Sequence, residues 1–86
     1  MKKIYEVVKF NPNAYDEFPQ LMTFDKAEAV SRAAKEKDYC DKDHDVEVRE
    51  FEVPDTFDID LYVHGDEEMN DMICDAYNKG YDIIKE

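Results

Sequence analysis

Phe57-Asp58-Ile59-Asp60-Leu61-Tyr62-Val63-His64 places an apolar residue at nearly every second position. Alternation of period two is the mark of a strand with one buried and one wetted face. On that reading Phe57, Ile59, Leu61 and Val63 enter a core, and Asp58, Asp60 and Tyr62 stand on the open side. Gly65 ends the segment. Asp66 then caps a helix whose apolar positions, Met69, Met72, Ile73, Ala76 and Tyr77, form one stripe. Gly80 suits the residue just past its C-terminus. Residues 81–85 follow as a short strand, with a continued helix as the alternative.

Towards the N-terminus, residues 2–10 are rich in Ile, Tyr, Val and Phe and read as a strand, ended by the turn residues Asn11-Pro12-Asn13. A loop runs to Pro19 and carries Tyr15 and Phe18; residues 20–24 are extended. Asp25 with Glu28 three residues on resembles a capping box, and residues 26–38 form a helix with apolar positions Ala27, Val30, Ala33 and Ala34. Residues 46–53 make another strand, but Val46 and Val48 fall on one face and Phe51 and Val53 on the other, so a bulge is expected near Arg49-Glu50. The order becomes β-α-β-β-α-β. That is a single α+β domain over residues 1–86 with a ferredoxin-like antiparallel sheet and two helices on one face.

Charge is unevenly placed. The 86 residues carry a formal net charge of −12. Residues 1–40 hold seven bases and seven acids; residues 41–86 hold four bases and sixteen acids. Nucleic acid and anionic membranes would repel such a chain, whereas cationic protein surfaces would attract it. Glu67, Asp71 and Asp75 recur every fourth residue, and Asp58 and Asp60 every second. On a helix and a strand these spacings give about 6 and 6.7 Å, close to the separation of successive phosphates along a nucleic-acid strand. These five acids with Tyr62, and Tyr15 with Phe18 from the N-terminal loop, are the expected partner contacts. A solvated exterior that only keeps the protein in solution is the plain alternative.

Catalysis finds little support. Ser31 is the only serine and lies within a helix, and two glycines cannot build a phosphate-cradling loop. Asp41, Asp43 and Asp45, with Glu52 at the twelfth position, resemble a calcium loop, but Val46 stands where the sharp turn calls for glycine. Cys40, His44, His64 and Cys74 lack the paired spacing of a zinc site. No cofactor or metal is therefore expected, and Cys40 and Cys74 read as thiols of a reducing compartment. No long apolar stretch follows Lys2-Lys3, which points to a cytoplasmic protein without a membrane span.

Small size, acidity and an α+β layout together make the chain similar to the small inhibitors that phages and mobile elements raise against host defences, the anti-CRISPR and DNA-mimicking antirestriction proteins. The resemblance rests on composition and layout, without a diagnostic motif. It implies a non-enzymatic inhibitor in the host cytosol that occupies the cationic nucleic-acid site of a defence effector such as an RNA-guided nuclease. The alternative is a cytosolic interaction module or homodimer of housekeeping or regulatory role with apolar contacts, and the second alternative is a calcium-binding domain through the Asp41–Glu52 loop.

Overall fold

The computed structural model describes residues 1–84. Its elements are β1 (Lys2–Phe10), β2 (Glu17–Thr23), α1 (Lys26–Asp38), β3 (Asp45–Val53), α2 (Ile59–Val63), α3 (Glu67–Lys79) and β4 (Asp82–Ile84). The α+β class is as expected. The four strands form one antiparallel sheet in the order β2-β1-β3-β4, which is compatible with a ferredoxin-like sheet.

β1 and β3 are the central pair, in unbroken register from Lys2 opposite Val53 to Phe10 opposite Asp45. Both are covered on both faces. Ile4, Phe51 and Val53 pack with Phe57, Met69, Ile73 and Ala76 beneath α2 and α3. The alternate residues Tyr5, Val7, Val46 and Val48 pack with Ala29 and Ala33 of α1. Because neighbouring strand residues point to opposite faces, α1 lies on one side of the sheet and α2–α3 on the other. The expected pair of helices on one face is corrected accordingly.

The same two-sided burial explains the slipped alternation in β3. Val46 and Val48 serve the α1 side, Phe51 and Val53 the α3 side, and no bulge occurs near Arg49. The register shift lies instead between β1 and β2, where Val7 pairs with Leu21 and Val8 with Pro19, leaving Gln20 over.

The helix ends follow local chemistry. Asp25 accepts from Glu28 N–H and Asp66 from Met69 N–H, so each satisfies a donor that the first turn leaves free. Gly80, with φ of 101°, closes α3 in a conformation that favours glycine. On α1 the buried positions are Ala29 and Ala33; Ala27 and Ala34 face solvent.

Residues 57–63 depart from the expected strand. Asp58 accepts from Leu61 N–H and starts the short helix α2. Phe57 is buried, and Ile59 and Tyr62, three apart as helix neighbours are, pack against its cluster. Leu61 and Val63 are left 47% and 70% exposed. Alternation over seven residues also fits two helical turns with scattered apolar positions, and the cap decides for the helix. The strand paired with β1 is Glu17–Thr23, so Phe18 belongs to a strand rather than to the preceding loop. The expected strand at 81–85 is present as β4, and Lys85 lies outside the described residues.

Phe51 sits with its ring 4.6 Å from Tyr77 and 5.4 Å from Tyr81. Phe51→Ala is expected to cost about 3–5 kcal/mol in urea unfolding. Leu61→Ala should cost less than about 1 kcal/mol, as for a surface position; a loss of core size would restore residues 57–63 to a strand.

Candidate functional site

Seven of the sixteen acids of residues 41–86 lie on α2, α3 and their N-caps. Between residues 50 and 78 there is no Lys or Arg, and ten acids. From Ile59 to Lys79 the α2–α3 layer holds six acids and one base, whereas α1 holds four bases and three acids. The sheet therefore separates a near-neutral side from an acidic one.

On α3 the buried residues are Met69, Ile73 and Ala76. At 100° per residue Glu67 and Asp71 fall almost diametrically opposite them, with Asp75 on the same outer flank. All three are exposed, and among the described residues none forms an ion pair. Like charges at i, i+4 cost a helix about 0.2–0.5 kcal/mol per pair. Glu67 is offset by its place in the first turn, where the helix dipole favours an anion, and Asp75 has Lys79 one turn on; Asp71 has neither.

Asp58 and Asp60 are also exposed on this layer, but on α2, so the strand spacing expected for them does not apply. Asp58 is engaged as a cap, and its N–H donates to the sulfur of Met69. Tyr62 is half-buried against Phe57, with ring centroids 5.8 Å apart, and burial pushes its hydroxyl pKa up. It also lines a shallow cleft with Glu67, Asn70 and Asp71. The expected contacts Tyr62, Glu67 and Asp71 thus meet in one concavity. Tyr15 and Phe18 do not join them. Tyr15 is fully exposed in the β1–β2 loop, and Phe18 lies 6.4 Å from the His44 ring.

The calcium expectation fails on geometry. Asp41 accepts from Asp43 N–H and contacts His44 Nδ1 at 2.7 Å, which lowers its pKa. Asp45 opens β3 and Glu52 lies seven residues on, about 23 Å along an extended chain. Among the described residues no group of three or more His, Cys, Asp or Glu is placed to hold a metal ion. Cys40 is half-buried and Cys74 is exposed.

Residue order alone does not announce a buried charge cluster that the fold assembles. Arg49 is 5% exposed and reaches Glu17 and, at 3.1 Å, Glu47. Its guanidinium lies 4.8 Å from the Tyr81 ring. Burial opposes its charge, but the hydrogen bonds to Glu17 and Glu47 outweigh that and raise its pKa. Glu6, also 5% exposed, accepts from the Tyr77 hydroxyl. Its pKa is raised by burial, against the hydrogen bond from Tyr77 and the charge of Arg49. Two signals could have found it: Glu6 shares the parity of Ile4 and Val8 in an apolar strand, and Arg49 is the sole Lys or Arg between residues 43 and 78.

No helix among the described residues is long and apolar enough to cross a membrane. No protein-family model, curated protein or solved structure matches the chain.

Glu6 supplies a pH test. A carboxyl whose pKa is raised on folding stabilises the fold fully below its unfolded value of 4.5, and that contribution is lost as pH rises through the folded value. Glu6→Gln keeps an acceptor for Tyr77 without the charge. Its melting temperature should exceed that of the parent at pH 7, with the difference shrinking as pH falls through the folded value and reaching its minimum by about pH 4.5; a pH-independent difference would show that burial does not perturb Glu6.

Proposed function

We propose that this chain is a non-enzymatic binding protein whose α2–α3 layer docks on a cationic surface of another protein, most simply a nucleic-acid-binding channel that it blocks. A defence effector of the RNA-guided nuclease kind is the partner class that the small acidic inhibitors suggest. The observation that carries the reading is the outward row Glu67, Asp71 and Asp75, exposed and, among the described residues, in no ion pair, on a layer whose one Lys or Arg is Lys79. Folding gains nothing from Asp71, and its repulsion with Glu67 and Asp75 is a local cost. A cationic partner turns that cost into attraction, speeds encounter and sets orientation.

Leu61 and Val63 add to the case, because they are exposed apolar side chains beside Asp58 and Asp60 on the same layer. An apolar centre with a charged surround is the layout of binding hot spots. Exposed pairs between such surfaces are screened within about 8 Å at physiological ionic strength, so binding should weaken with salt.

The test uses the immobilised full chain and a nuclease-treated cell lysate. Retained proteins should bind nucleic acid and be released by a duplex oligonucleotide at constant ionic strength. The double variant Asp71→Lys, Asp75→Lys should associate on the order of tenfold more slowly with any captured partner. The same variant should stay within about 0.5 kcal/mol of the parent in stability, since reversal at Asp71 turns repulsion with Glu67 into attraction while reversal at Asp75 sets a lysine one turn from Lys79. Retention that neither the oligonucleotide nor the charge reversal disturbs would overturn the reading.

A further inference from the structure

The hairpin loop between β1 and β2 encloses, together with β3, a second acidic feature on a different part of the molecule. A cavity of about 580 Å³ opens there, lined among others by Phe10, Tyr15, Asp16, Glu17, Glu47 and Arg49. Its size lies within the ordinary range for a binding pocket. The loop that forms its rim is held in shape by its own hydrogen bonds. Asn11 N–H donates to Asp16 C=O at 3.2 Å, Ala14 N–H to Asn11 C=O at 3.1 Å, and Asn13 N–H to the Asn11 side chain at 2.9 Å. A rim ordered in advance loses little freedom when something binds.

The charges in the cavity do not balance. Glu17 and Glu47 both contact one nitrogen of Arg49, and Asp16 adds a third carboxylate with no cation of its own among the described residues. Behind them the Glu6 carboxyl, which accepts from the Tyr77 hydroxyl, adds a further charge felt by Arg49. Arg49 is also not fully used: its Nε–H is the one buried side-chain donor without a partner among the described residues. A ligand that fits must bring a positive charge to the carboxylates and an acceptor oxygen towards Arg49. A basic amino-acid residue within a peptide has both, its side-chain cation and its backbone carbonyl. Phe10 and the exposed ring of Tyr15 would cover the aliphatic stem and attract the cation.

We propose that this cavity is a binding subsite for an arginine or lysine side chain of a basic peptide segment. It is separate from the α2–α3 layer and holds or fails independently of it. Two acidic sites on one small chain would grip a basic partner at two points, which raises avidity without new contacts at either.

The probe is the peptide acetyl-Gly-Arg-Gly-amide, titrated into the full chain and followed by amide chemical shifts, with the citrulline peptide as the neutral isostere. The arginine peptide should shift residues 11–17 and 47–49 saturably, with an affinity on the order of millimolar, and the citrulline peptide should not. Glu17→Gln should weaken binding roughly fivefold. Asp16→Asn, which leaves the Arg49 contacts in place, should also weaken it, so a disturbance of the cluster by the first variant cannot mimic the result. Asp71→Asn with Asp75→Asn should leave these shifts unchanged. Equal shifts with citrulline, shifts confined to α3, or insensitivity to both Glu17→Gln and Asp16→Asn would overturn the proposal.

Discussion

The β1–β3 pair is the interaction on which the molecule depends. Nine residues of each strand are in register, and each strand buries side chains on both faces. A strand with one wet face can tolerate slippage in part of its pairing. A strand that feeds two cores cannot, because a one-residue shift would send every side chain to the wrong layer. Ile4 and Tyr5 show the tightness of this requirement, since adjacent residues belong to different clusters. Glu6 and Arg49 are paired positions in the same register, so the central pair also places the buried charges.

Two helical layers of different character follow from that arrangement. α1 approaches the sheet through small alanines, while α3 uses Met69, Ile73 and Ala76 with Tyr77 beside them. The polar residues on the outer sides are not equivalent either. Bases and acids alternate on α1, where Arg32 pairs with Glu36 at 2.8 Å, whereas α3 presents carboxylates alone until Lys79. The sheet thus acts as a partition between an electrically near-neutral face and an anionic one. Acidity of the whole chain is a statement about composition; the excess of acids over bases on the α2–α3 layer is a statement about orientation.

Much of this was legible from residue order. Lys2–Phe10 and Lys26–Asp38 follow directly from β-rich composition and from the Asp25 cap, and α3 from its stripe. The outward row of acids on α3 was readable for the same reason, because a helix of known stripe fixes what lies opposite. Residues 57–63 were not, since a seven-residue alternation cannot distinguish a strand from a capped turn of helix. β3 misled in a related way: burial on two faces breaks period two just as a bulge does. The Arg49 cluster joins residues 6, 17, 47, 49 and 77, which only the sheet register and the α3 return bring together. Long-range assembly of this kind leaves no spacing to read, although a charged residue at a core parity was a clue.

The outer strands have a consequence for behaviour at high concentration. β2 contains Pro19, which contributes no N–H, beside the unpaired residue Gln20, and β4 spans three residues, Asp82–Ile84, among those described. A free sheet border recruits other chains when it is long, flat and rich in donors. Here one border is interrupted and the other is short, so growth of the sheet by addition of further molecules, the first step towards fibrils, is disfavoured at both ends.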